Sequence, residues 1–393
     1  MVTSGLPLKH GEKPSLEGFE SFSNWMEDIK RDNDKDKILV GAEPTGHYWF
    51  GLASYLKEES IKLVLVNPFH VKRSKELDDN HPSKTDQKDP KTIAKLVIDG
   101  RYSEPYIPEG VYAELRTLVS NRIRLVKEKC IIKNRVARWL KIYFPEHAEV
   151  YGSFDAVSSM KIMKLAPMPE DILELGTDAI NQLWRDEKLR AVGIKRATRL
   201  VEAAKASIGC KEGSRAARFE IKMLLEDYEN KNSQYELVME EIETICAEIP
   251  GVEEVLKIKG VGVATIAGFV SEVGDLKRFK SPKQIQKLAG LALKENSSGK
   301  HKGQTRISKR GRSRLRAVLF QGVMPLVSKN KEFGEIHKYY TTRRENPLKK
   351  KQSLIAVCCK LIRVFHAILT KGIVYDGDKL LSDIKRPLEL EVA

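Results

Sequence analysis

Two stretches of this chain, Val111 to Phe144 and Arg215 to Glu248, hold a helical pattern for roughly nine turns each. The first interleaves Arg and Lys with apolar positions. The second is highly charged, with heptad-like Leu, Tyr, Val and Ile. Most of the stability of a protein helix comes from packing an apolar face, so each stretch must lie against a partner. Between them runs an irregular, helix-rich middle, roughly Tyr151 to Cys210, broken at Pro167 and Pro169. A helical hairpin or coiled-coil arm is expected, an element that often joins protomers. Two ordinary core helices are the alternative.

Upstream the pattern changes. Leu16 to about Lys30 carries an apolar helical stripe of Phe19, Phe22, Trp25, Met26 and Ile29. A charged turn then leads to a strand, Ile38–Ala42, a helix from about Tyr48 to Glu58, and a second strand, Leu63–Val66, ending at Asn67-Pro68. A basic segment with Lys72, Arg73 and Lys75, a polar loop, and a helix from Asp86 to about Ile98 follow. Strands alternating with helices predict an α/β layer with partly parallel pairing.

The 393 residues allow two or three domains, and 41% hydrophobic with 31% charged residues describes an ordinary globular chain. A formal net charge of +15 and a pI near 9.4 point to a polyanionic partner, with nucleic acid ahead of an anionic membrane surface. No secretory pattern and no apolar stretch of transmembrane length stand out, so a cytoplasmic protein without a membrane partner is expected. The five cysteines show no CxxC spacing, which argues against a disulfide framework or a zinc site. Cys358-Cys359, in an apolar helical run, reads as core.

Three carboxylates stand out. Glu43 follows the first strand in Gly41-Ala42-Glu43-Pro44-Thr45-Gly46-His47-Tyr48-Trp49. Asp86 and Asp89 lie three apart at a helix start, on one face of its first turn. Carboxylates so grouped suit Mg²⁺, which takes oxygen ligands and leaves positions for phosphate. A solvated loop glutamate with helix-capping aspartates is the plainer reading. His47 is a ligand or phosphate contact on one reading and structural on the other. Further on, Ile258-Lys259-Gly260-Val261-Gly262 predicts a tight turn between helices, with the N–H groups at Gly260 and Gly262 open to a phosphate. A glycine-capped corner is the alternative. From Lys294 to Arg316 the chain is dense in cations, among them Lys300, Lys302, Arg306, Lys309, Arg310 and Arg312, against the single acid Glu295. That one-sided charge predicts a phosphate-gripping surface. It contains Ser297 and Ser298, which are nucleophiles only if the attacked phosphate is neutralised or a base is at hand, and otherwise plain loop serines.

In this order, Gly41–Trp49, Val66-Asn67-Pro68, Lys84–Lys91, Ile258–Gly262, Leu288-Ala289-Gly290-Leu291 and Ser297–Arg316 resemble the DEDD transposases of bacterial insertion sequences, related to Piv-type DNA invertases. The resemblance covers nearly the whole chain. It implies an α/β RuvC-like (RNase H-like) N-terminal domain over residues 1–108, a helical or coiled-coil region over 109–249, a mainly helical C-terminal transposase domain over 250–375 with a helix-hairpin-helix-like turn, and a tail, 376–393. It makes Glu43, Asp86 and Asp89 ligands of catalytic Mg²⁺, and Ser298, before Gly299, the nucleophile of strand exchange, with Ser297 as the fallback. DNA is the implied substrate, a bridge-type guide RNA a further partner, and a dimer or tetramer the assembly. The family's first aspartate belongs to an opening strand. Met1 to Pro14 holds no aspartate and no strand-like run, so a truncated domain with impaired activity is expected. A RuvC-like nuclease or junction resolvase using metal-activated water, and a non-catalytic nucleic-acid-binding remnant, are the other readings.

Overall fold

Parallel pairing of two short apolar strands organises the first part of the chain. The computed structural model describes residues 15–44, 49–79, 88–294, 297–298, 301–302, 305–382 and 384, and divides the chain into two units, 1–107 and 108–393.

In the first unit, α1 (Leu16–Asp32) starts at Ser15, whose hydroxyl accepts from the Gly18 N–H. β1 (Leu39–Ala42), α2 (Trp49–Glu58), β2 (Lys62–Val66), α3 (Pro68–Asp79), α4 (Lys88–Ile98) and β3 (Tyr102–Ser103) follow. β1 pairs parallel with β2, Gly41 facing Val64, and β3 adds antiparallel at Leu65 and Val66. Alternation along β2 serves both faces. Leu63 packs with Met26, Ala53 and Leu56 of α1 and α2, whereas Val66 packs with Val71 and Leu96 of α3 and α4. The expected α/β layer is therefore present. One reading is corrected: the basic segment at Lys72 and Arg73, to which the sequence pattern assigns no element, is part of α3. Asn67-Pro68 does not merely end a strand. The Asn67 side chain accepts from the Phe69 N–H at 2.9 Å, and Pro68 opens the helix, as its fixed φ favours.

In the second unit, α5 (Val111–Tyr143), α6 (His147–Val150), α7 (Val157–Leu165), α8 (Pro169–Asp186), α9 (Ile194–Lys205) and α10 (Ser214–Ala247) come first. α5 and α10 pack against each other antiparallel. Leu115 and Val119 share a core with Ile242 and Ile245, while at the other end Trp139 donates to the Ala217 carbonyl at 2.9 Å. The two helices thus form a hairpin within one chain, and α6 to α9 build a second core around its far end with Trp139, Phe144, Ile172, Ile180 and Trp184. At the near end, α11 (Val252–Leu256), α12 (Val263–Val273), a 3₁₀ turn (Leu276–Arg278) and α13 (Pro282–Leu288) lead to four two-residue strands. These are β4 (Leu293–Lys294), β5 (Ser297–Ser298), β6 (His301–Lys302) and β7 (Arg306–Ile307). The chain continues through α14 (Ser313–Lys329), α15 (Lys331–Thr342), α16 (Lys350–Lys371) and α17 (Gly377–Ser382). The division expected at 249/250 falls inside one continuous core, which joins Leu115 to Phe269, Leu319 and Phe365.

A second correction concerns α16. It is long and apolar enough to cross a membrane by length and composition, contrary to the expectation that no such stretch exists. Its apolar side chains, Val357, Cys358, Leu361, Ile362 and Phe365, are buried in the core instead.

Two titratable groups near the far end of the hairpin tie this fold to pH. His147 is 2% exposed, stacks on Tyr151 and bonds the Ser159 hydroxyl at 2.9 Å. Burial lowers its pKa to about 4. Burial raises the Asp155 carboxyl, but hydrogen bonds from Lys133, Ser153 and Tyr228 outweigh that and hold it at about 2. Unfolded histidine takes up its proton near pH 6.5, where the folded one does not, so stability falls as pH drops from about 6.5 to 4. The loss is roughly 3 kcal/mol. Asp155 acts lower, its stabilisation present above about pH 4 and lost as pH falls through about 2. Denaturant melts across pH 4–7 should show this slope in the wild type and its loss in His147→Gln; an equal slope in both would exclude the His147 assignment.

Candidate metal centre and nucleic-acid interface

β1 and α4 approach each other because residue 41 is glycine. A Cβ on Gly41 would lie 2.7 Å from Val97 Cγ2 and 3.2 Å from Ile93 Cγ2, both on α4. Asp89, Ile93 and Val97 recur every four residues and so share one stripe of that helix. Glu43 follows Gly41 by two residues and lies just past the end of β1. The end of β1 and the α4 stripe are thus close at Gly41, and the two carboxylates are each half-buried. Asp89 lies in the first turn of α4. Asp86 and His47 lie outside the described residues. Among the described residues no three His, Cys, Asp or Glu side chains converge on a point that would hold a metal ion. Carboxylate oxygens are the donors that hard divalent cations take, so Glu43 and Asp89 fit such an ion in kind.

In the second unit the segment read as a basic loop carries two antiparallel ladders. Leu293 faces Ile307 and Lys294 faces Arg306; beyond them Ser297 faces Lys302 and Ser298 faces His301. Ser298 thus belongs to a hairpin backbone rather than to an irregular loop. The frame beneath is tightly knitted. Lys309 and Arg312 donate their backbone N–H groups to Gly290 and Leu288, and the Arg316 guanidinium donates to Ala289 at 2.9 Å. Gly290 (φ 69°) and Gly311 (φ 153°) pass so close that a side chain on Gly311 would meet the Leu288 carbonyl. The Ala289-Gly290-Leu291 segment is the floor from which the serine-bearing hairpin rises.

The predicted cations separate into two groups. Arg306, Lys309 and Arg310 are exposed. Arg312 is turned inward. Its guanidinium donates to the Glu272 carbonyl and lies 3.7 Å from the Glu272 carboxylate. This partner lies 40 residues away, with no local signal for the pairing, and sequence reasoning missed it. Lys300 and the side chain of Lys302 lie outside the described residues. Of the two predicted turn glycines, Gly260 (φ 98°) is explained by packing, since a Cβ there would sit 2.8 Å from Leu326 Cα of α14. Gly262 faces open space as the N-cap of α12.

Residues 9–145 match the DEDD transposase model of IS110-type elements, and residues 252–340 match the model of the transposase IS116/IS110/IS902 family. The chain belongs to this transposase family. The first match implies a RuvC-like fold for the first unit, and DEDD transposases typically use a divalent metal. The chain is 32% identical to the transposase for insertion sequence element IS1111A of Coxiella burnetii over 88 residues, 22% of this chain and 24% of that protein. It is 32% identical to the pilin gene-inverting protein of Moraxella bovis over 124 residues, 30% of this chain and 37% of that protein. With both relatives it aligns over well under two thirds of their length. An uncharacterized protein of insertion element IS116 from Streptomyces clavuligerus is 23% identical over 292 residues, 73% of this chain and 71% of its own.

The split among the cations is open to measurement. Arg312→Ala should lower stability by roughly 1.5–3 kcal/mol, the worth of hydrogen bonds to a charged group, whereas Arg310→Ala should leave the melting temperature within error. Equal melting temperatures for both variants would mean that Arg312 is not a structural clamp.

Proposed function

We propose that this transposase-family chain recombines DNA by strand exchange through a serine nucleophile. Glu43, Asp86 and Asp89 would hold Mg²⁺, and Ser298 would attack the phosphodiester. What supports this most is the close passage of β1 and α4 at Gly41, with Glu43 just past the end of the strand and Asp89 in the first turn of the helix. When bound, the cation would neutralise charge on the scissile phosphate. The chain's own residues would do the rest. Arg306, Lys309 and Arg310 are exposed beside the hairpin and would grip the flanking phosphates. Lys300, Lys302 and the N–H groups at Gly262 are further proposed phosphate contacts. The Ser298 Oγ would bond to phosphorus as the sugar oxygen leaves, conserving the phosphodiester energy in a phosphoserine link for the rejoining step. DNA of the element ends and target is the proposed substrate. A bridge-type RNA guide and more than one protomer belong to the same proposal.

Duplex carrying the element's ends, incubated with the protein and Mg²⁺, should give a protein–DNA adduct that survives denaturation. Ser298→Ala should abolish the adduct, Ser297→Ala should keep it, and Asp89→Asn should lower its yield on the order of 100-fold. Cleavage that persists in both serine variants without an adduct would replace this mechanism with attack by water.

A further inference from the structure

We propose that the exposed face of α5 is a docking surface for the phosphate backbone of double-stranded nucleic acid. The proposal rests on the reading that the protein acts on DNA, and it concerns a surface far along the chain from the serine hairpin.

The cations of α5 divide by direction. Arg122 lies over the Tyr235 ring, Lys129 bonds Asn232 and Lys133 bonds Asp155, so these three serve the hairpin itself. Arg124, Lys127, Arg135, Arg138 and Lys141 are exposed. At about 100° per residue, those five fall within an arc of about 120°, opposite the buried Leu125, Ile132, Val136 and Leu140. The only acids of α5 are Glu114 and Glu128. Glu128 pairs with Lys231 of α10 at 3.0 Å and comes no nearer than 3.8 Å to Arg124. Lys127, Arg135, Arg138 and Lys141 make no ion pair among the described residues. From Arg124 to Lys141 the stripe runs roughly 26 Å. That length spans several phosphates, which follow one another at about 3.4 Å of axis along each strand.

The other side of the hairpin has the opposite sign. Glu226, Asp227, Glu229, Glu236 and Glu240 are exposed on α10. A polyanion is therefore attracted to one side of the hairpin and repelled from the other, which orients it. A second copy offering its acidic α10 is the competing partner. That face, however, exposes Phe219, Met223 and Leu237 at 68%, 50% and 66%, and the α5 arc offers them only Ile131 and, at its end, Ile142 as apolar counterparts. A phosphate backbone needs none. The net charge of +15 also leaves cations in excess of the chain's own acids.

The test is the salt dependence of duplex binding by the full chain, followed by fluorescence anisotropy. The quadruple variant Lys127→Gln, Arg135→Gln, Arg138→Gln, Lys141→Gln keeps good helix formers on a solvent face. The slope of log Kobs against log salt should become shallower by about 0.9 for each phosphate no longer neutralised, roughly 3 to 4 in all. In the unaltered protein, added duplex should slow alkylation of Cys130, which is exposed on α5 beside the stripe. An unchanged slope with unprotected Cys130, while the wild type binds duplex normally, would overturn the inference and leave the transposase reading intact. Loss of self-association with an unchanged slope would assign the face to a second copy. A wild type that binds no duplex even at low salt would overturn both readings.

Discussion

The antiparallel packing of α5 on α10 is the contact on which the second unit depends. Neither helix is amphipathic toward a single neighbour. Each gives one end to the core around Phe269 and Phe365 and the other to the core around Trp139 and Trp184. Burying a large apolar side chain contributes about 1.5–3 kcal/mol. A break in the hairpin would therefore cost both cores at once. Between them the contact is polar and aromatic, with Lys129 set against Tyr235 and Asn232 and Arg122 against Tyr235 and Met239. Such pairs have directional geometry, and they hold the relative register of the two helices where bulk burial is thin.

The near core also carries the basic hairpin. α12 and α14 bury Phe269 and Leu319 beside the base of α5, and the chain leaves α13 through Ala289-Gly290-Leu291 to reach β4. Positive φ at Gly290 and Gly311 lets the 288–291 and 308–312 segments touch through their backbones. Arg312 and Arg316 then direct their charge to the carbonyls of Glu272 and Ala289. Two residues of a basic run thus hold up the loop on which Arg306, Lys309 and Arg310 are exposed. A cation's presence in such a run does not say which role it has.

Elements with a strong period were legible in the chain, and those set by distant partners were not. Both long helices were predicted to within a residue or so of α5 and α10, because a stripe sustained over thirty-odd residues has one regular solution. The strands at Val40 and Val64 were equally plain. α3 was not, since its Pro, His, Lys and Arg read as a boundary until Asn67 is seen to cap it. The four short strands after Leu291 escaped notice because two-residue ladders have no period to read. α16 shows the reverse case, a run whose composition suits a membrane and whose neighbours make it core. At the candidate site, Glu43 and Asp89 were named from their positions, while the close passage of β1 and α4 depends on Gly41.

The sequence by itself determined the helical hairpin, the α/β layer, the excess of positive charge and the ordered motifs of a transposase family, because each is written in local period, composition or spacing. Tertiary structure alone decided which cations are free. Arg312 is turned inward by Glu272 and Lys133 by Asp155, whereas Arg135 and Arg138, identical in type and close in sequence, face water. It also decided that Gly260 serves packing against α14 while Gly262 faces open space. The physical reason is the same in each case. A charge or a glycine acquires its role from the groups brought within a few ångströms of it, and those groups lie dozens of residues away along the chain.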